Sequence, residues 1–143
     1  MTAKEYLRQL TRKDVRINAL IERQQRYREL AARRTAVYRD APGARRRTSS
    51  VEEYTAKIID LEAEIDRRVD EYVDLTCEIE TVIDRVEDDR YRDILRFRYI
   101  NGWSWERIAR EMHYDRRQVT RLHGLALLEI EKRCPKMSHL NML

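Results

Sequence analysis

The chain has 143 residues, enough for one or two small domains, and spends only three Gly, two Pro, one Phe and two Trp on them; that is the composition of long helices lined by apolar seams, not of a large compact core. Its net charge of +4 hides a segregation: 14 Lys/Arg against 5 Asp/Glu in residues 1–50, 4 against 15 in 51–89, and 12 against 6 in 90–143. Three electrostatic objects follow, a basic arm, an acidic middle and a basic C-terminal part.

Residues 3–39 contain neither Pro nor Gly, and Leu10, Ile17, Leu20, Tyr27, Ala31 and Tyr38 recur at helical spacings with Leu7, Ile21 and Leu30 beside them. The spacing predicts one amphipathic helix, roughly 55 Å long at 1.5 Å per residue. Lys13, Gln24 and Arg34 interrupt its seam. Residues 40–50, DAPGARRRTSS, read as a linker. Pro42-Gly43 stops the first helix, Arg45, Arg46 and Arg47 form a basic loop, and Ser50-x-x-Glu53 is a capping box that starts the next helix.

That second helix carries the clearest period in the chain. Val51, Ile58, Ile65, Tyr72, Ile79 and Val86 fall seven apart, and Tyr54, Leu61, Leu75 and Val82 stand three residues on, with Arg68 the exception. Val69 and Ile83 widen the stripe beyond a two-strand seam. Its acidic flanks match the basic first helix in sign and length, so an antiparallel hairpin over 1–89 is the simplest arrangement. A stripe wider than one partner covers predicts a homodimer. Asp89 is a candidate N-cap for a support helix over 90–100, carrying Tyr91, Ile94, Leu95, Arg98 and Tyr99.

The stretch 101–130, NGWSWERIAREMHYDRRQVTRLHGLALLEI, organises the function. Asn101-Gly102 signals a turn. Ser104 stands at an N-cap, with Glu106 in the first turn and Ile108, Ala109 and Met112 on one face. His113-Tyr114 ends that helix, and Asp115 caps a second one with Val119, Leu122, Leu125, Ala126 and Ile130 along its length. A short helix, a tight turn and a longer helix make a helix-turn-helix. The exposed first turns of the second helix offer Arg116, Arg117, Gln118, Thr120 and Arg121, groups that bond base edges or phosphates. Trp103 is expected to plug the small core beneath, and Trp105 to stand more exposed, where with Ser104 it is placed against a phosphate. Cys134-Pro135 ends the helix, and a frayed tail follows.

These same residues carry a resemblance. Gly102-x-Ser104-x-Glu106-x-Ile108-Ala109 and Met112-x-x-Asp115-x-x-x-Val119 resemble the helix-turn-helix of sigma-factor region four. Arg121-Leu122-His123-x-x-Ala126-Leu127 is similar to small phage-encoded late-gene activators of the RinA/ArpU type. The turn position that usually carries Gly is His113 here. The resemblance covers the last third of the chain and implies DNA contacts at Arg116, Arg117, Thr120 and Arg121, with activation through contact with RNA polymerase.

The fold expected is therefore all-α, with a helical hairpin over 1–89, a helix-turn-helix domain over 90–133 and a tail over 134–143. The function expected is a DNA-binding transcriptional regulator. A phage DNA-packaging adaptor is the second reading, and a helical assembly protein that binds no DNA the third. Enzymatic chemistry is not expected, because the chain has no Ser/His/Asp order, metal-ligand cluster or glycine-rich phosphate loop. No cofactor or metal is called for, and Cys77 and Cys134 are isolated in a pattern that suits a reducing cytosol. No apolar run long enough to span a membrane and no signal-peptide core are found, so a cytoplasmic protein is expected.

Overall fold

The structure, a computed structural model, describes residues 1–38 and 44–134, and the side chains among these except at 37–38 and 44–49. The protein is all-α. Helix α1 spans Ala3–Tyr38, α2 Ala44–Asp84, α3 Asp89–Leu95, α4 Trp105–Met112 and α5 Arg116–Arg133, with a π-helical turn at Arg96–Ile100 between α3 and α4. The Pro42-Gly43 break and the tail beyond Pro135 lie outside the described residues.

Packing divides the chain into two compact units, Met1–Arg12 with Tyr72–Leu143, and Lys13–Glu71. The second unit is a pair of helical segments. Lys13 Nζ lies 3.5 Å from Glu71, Gln24 Nε2 donates to the Ile58 carbonyl at 3.2 Å, Arg28 lies 3.8 Å from Glu62, and the Tyr27 and Tyr54 rings sit 5.9 Å apart. The partner number falls as the first number rises, so α1 and α2 run antiparallel here. Each of the three residues that break the α1 seam has a partner on α2: Lys13 has Glu71, Gln24 has Ile58, and Arg34 stands over the Tyr54 ring at 5.2 Å. Ile17, Leu20 and Leu61 are the buried apolar residues of this pair, with Ile58 and Ile65 half-buried.

The first unit has a drier interior. Leu7 and Leu10 of α1, Ile79 and Ile83 of α2, Val86, Leu95, Tyr99, and Ala126 and Ile130 of α5 form one buried cluster. Tyr6 donates to Glu78 at 2.7 Å and ties the start of α1 to α2 here. A second cluster holds the helix-turn-helix together: Ile94 of α3, Ile108 and Ala109 of α4, and Val119 and Leu122 of α5.

Three local expectations are corrected. The second helix begins at Ala44, so Ser50 lies inside it and does not cap it. Ala and Arg are strong helix formers, and their propensity carries the helix back through the Arg45, Arg46 and Arg47 run that reads as a loop. The cap of α3 is Asp88, not Asp89: its carboxylate accepts from Arg90 N at 2.8 Å and pairs with the Arg90 guanidinium at 2.9 Å. Burial of Val86 fixes the chain just upstream, and Arg92 ties down the Val86 and Glu87 carbonyls, which leaves Asp88 at the helix mouth. The support helix does not run on as an α-helix to Ile100, because Asn101 N bonds the Arg96 carbonyl in a π-helical turn at 2.9 Å.

Candidate nucleic-acid interface

Helices α4 and α5 are cut where the sequence places their caps. Ser104 Oγ accepts from Arg107 N at 3.2 Å, and Asp115 Oδ1 accepts from Gln118 N at 2.7 Å. Each cap satisfies an otherwise orphaned donor at a helix start. Gly102 takes φ 69, the positive value that the Asn101-Gly102 signal anticipates.

Between the helices His113 adopts φ 58 and ψ 37, the left-handed conformation that Gly favours. His113 N bonds the Arg110 carbonyl at 3.3 Å and Tyr114 N bonds that of Ala109 at 3.0 Å. This pair of bonds is a Schellman closure. The departure from Gly thus leaves the turn geometry in place, at the steric cost of a side chain in the left-handed region.

The first turns of α5 present their polar face outward. Arg116, Arg117, Thr120 and Arg121 are exposed and Gln118 is half-buried, while Val119 and Leu122 are buried beneath. Arg117 and Arg121 have no carboxylate within ion-pair distance among the described residues, whereas Arg116 lies 2.9 Å from Glu106 of α4. The Thr120 hydroxyl donates back to the Arg116 carbonyl at 2.9 Å and keeps its lone pairs for an incoming donor. Ser104, expected beside a phosphate, is exposed but has its hydroxyl engaged as the cap.

The two tryptophans do not divide into one plug and one exposed ring. Both are half-buried. Trp103 stacks on Phe97 with centroids 4.5 Å apart and lies beneath the Arg107 guanidinium at 4.0 Å. Trp105 meets the His123 ring edge-on at 4.6 Å, with Arg98 over its own ring at 4.4 Å. The expectation that Trp105 stands more exposed than Trp103 gives way to two half-buried rings, because α5 brings His123 against Trp105, a tertiary contact with no local signature.

His123 is the residue that a reading for DNA contacts passes over. It is buried in the face of α5 that carries Val119, Leu122 and Ala126, with Nε2 2.8 Å from the Tyr99 hydroxyl. Burial, helped by the positive charges of Lys4, Arg98 and Arg8, pushes its pKa down to about 4 from 6.5. Its ring is therefore neutral at pH 7, a packing and hydrogen-bonding group and not a cation for DNA. The signal for this was its register with Val119 and Ala126.

Fold and site together define an all-α protein with a C-terminal helix-turn-helix whose second helix carries exposed arginines in its first turns, Arg116 paired with Glu106 and Arg117 and Arg121 without a carboxylate partner among the described residues. The family model for a protein of unknown function, DUF1492, matches residues 35–131, more than half of the chain, and the chain belongs to that family. No curated protein and no solved structure matches it.

Proposed function

We propose that this protein is a sequence-specific DNA-binding transcriptional regulator that reads duplex DNA with the first turns of α5. The observation that carries the reading is the outward row Arg116, Arg117, Thr120 and Arg121 on a capped helix whose opposite face is buried. In a helix-turn-helix the N-terminal part of the second helix enters the major groove. Arg117 and Arg121 have guanidinium groups to offer, and Gln118 is the residue suited to adenine. The Glu106 carboxylate offsets the charge of Arg116 and must release it on binding, which makes Glu106 a brake on affinity. The resemblance to sigma-factor region four and to RinA/ArpU-type activators adds a cytoplasmic, phage-encoded protein that contacts host RNA polymerase. A homodimer, assembled through the residues of the hairpin, would present two reading helices to a pseudo-palindromic site.

The test is a titration of promoter-bearing duplex from the source genome at two salt concentrations. The Arg116→Ala/Arg117→Ala/Arg121→Ala variant is expected to lose affinity by about a hundredfold or more at low salt and to show a flatter salt slope. Glu106→Gln should move the other way, binding a few times more tightly. Equal affinity in wild type and the triple variant would remove α5 as the reading helix.

A further inference from the structure

A cleft of about 360 Å³ opens in the first unit, and none of the outward row of α5 lines it. Lys4, Arg8 and Arg12 line it from one face of α1, and Arg98, Tyr99 and Trp105 complete the wall. Four of the lining side chains are cations and none is a carboxylate, in a chain that carries 26 Asp/Glu. No carboxylate lies within ion-pair distance of Lys4, Arg8 or Arg12 among the described residues. Like charges gathered round a concave surface repel one another and focus a positive potential into it. The volume lies within the usual range for ligand sites, roughly 300–1,000 Å³.

The aromatic residues say which part of an anion the cleft fits. The Trp105 ring is already engaged by Arg98 above it and by His123 at its side, and Tyr99 is buried with its hydroxyl on His123. Recognition then falls to the charges, not to a stacking platform for a base. We propose that this cleft binds phosphate groups, through Arg8, Arg12 and Lys4 from α1 and Arg98 from the π-helical turn. Thr11 adds a hydroxyl to the same wall. The field reaches inward as well: Arg8 and Arg98 both act on the buried Tyr99 hydroxyl and on His123, although burial is the larger cause at each.

Phosphate chemistry has two sources here, the backbone of a duplex flanking the site read by α5 and a free polyphosphate. The first rests on the DNA reading above and the second does not. The experiment uses the full chain and the Arg8→Gln/Arg12→Gln variant, with Arg16→Gln/Arg23→Gln as the charge-matched control on exposed positions outside the cleft. Gln keeps helix propensity at all four positions, and circular dichroism checks the fold. One arm measures the rise in melting temperature with inorganic tripolyphosphate at low salt, and the other the affinity for a short duplex by fluorescence anisotropy. A drop of about tenfold in duplex affinity for the cleft variant relative to the control assigns the site to the DNA backbone. Loss of the tripolyphosphate shift with duplex affinity equal to the control assigns it to a free polyphosphate. A cleft variant that matches the control in both arms overturns the proposal, as does a wild type that responds to neither probe. A wild type that binds no duplex removes the DNA reading while leaving the tripolyphosphate arm to decide the cleft.

Discussion

The two compact units bury the same kinds of residue to different depths. In the unit of Met1–Arg12 with Tyr72–Leu143, Leu7, Ile79, Ile83 and Leu95 are wholly withdrawn from solvent, enclosed by helices on several sides. In the Lys13–Glu71 unit the apolar residues buried deepest, Ile17, Leu20 and Leu61, keep 7–8% exposure, and Ile59 stays 63% exposed. Two helices alone can cover each other's stripe on one side only. Where several helices converge the interior excludes water. Where only a pair exists, charged and amide groups such as Lys13 and Gln24 are tolerated in the seam because each can reach a partner. A second copy of the chain would turn the pair into a four-helix arrangement and close the difference.

The largest expected effect comes from breaking that association. Ile65, half-buried on the α2 stripe, should lie inside a dimer interface, and Ile65→Asp would place a charge there. Light scattering at tens of micromolar is expected to give a dimer mass for the wild type and a monomer mass for the variant, an all-or-none change. A monomeric wild type would leave the pair's seam as it stands, covered on one side.

Next come core truncations that measure the difference in depth. Ile83→Ala should cost about 3–4 kcal/mol in urea denaturation, the range for a large side chain removed from a closed core. Leu61→Ala should cost about 2 kcal/mol, because solvent already reaches that site and the cavity collapses more easily. Equal costs would mean that Leu61 is as well enclosed in solution as Ile83. A Leu61→Ala cost that grows with protein concentration would identify the second copy as the enclosing surface.

What the sequence disclosed follows the range of the forces involved. Ser104 and Asp115 were legible as caps because a cap is decided within three residues. The α2 heptads were legible because a stripe needs only its own period: Leu61, Ile79 and Ile83 are buried and Ile58, Ile65 and Tyr72 half-buried, as the spacing predicts, whereas Val69 is exposed and Val86, though buried, lies past the helix end at Asp84. The Ser50-x-x-Glu53 box misled because a cap motif competes with the propensity of the residues before it, and here propensity carries α2 back to Ala44. The boundary at 89 was drawn from charge, whereas packing draws Met1–Arg12 and the end of α2 in with the C-terminal helices. The π-helical turn, the Tyr99–His123 hydrogen bond and the seat of Trp105 depend on residues far apart in the chain, and no local spacing encodes them. The row Arg116, Arg117, Thr120 and Arg121 was legible as an exposed face; what it touches is a question for the DNA titrations.

His123 gives the drier unit a pH dependence. In the fold its ring is neutral, with a pKa pushed to about 4, whereas in the unfolded chain it titrates near 6.5. Below pH 6.5 the unfolded chain takes up a proton that the fold refuses, so this contribution is intact above that pH. It is lost progressively as pH falls towards 4. Each unit of difference is worth about 1.4 kcal/mol, and partial solvent contact of the ring reduces the sum to roughly 2 kcal/mol. Denaturation midpoints taken between pH 7 and pH 4 should show the decline. His123→Gln, which can keep a hydrogen bond to Tyr99 but has no proton to gain, should flatten that part of the profile; an unchanged slope would place the acid sensitivity elsewhere.

The smallest effect falls on the helix pair and tests whether its polar interruptions are tolerated or needed. Gln24 is 8% exposed and donates to the Ile58 carbonyl at 3.2 Å. A carbonyl inside a helix ordinarily accepts from the amide four residues on, so losing the Gln24 side chain does not orphan Ile58. Gln24→Leu exchanges a buried amide for an apolar group of similar length, a replacement that is near neutral or stabilising, by up to about 1 kcal/mol, when no partner is stranded. The amide nevertheless specifies which turn of α2 faces it, the role that a single polar residue plays in a helical seam. We expect Gln24→Leu to raise the urea midpoint slightly while broadening the distribution of masses in light scattering, as slipped pairings become accessible. A variant destabilised by more than about 1 kcal/mol, with an unchanged mass, would make the hydrogen bond a structural requirement and not a marker of register.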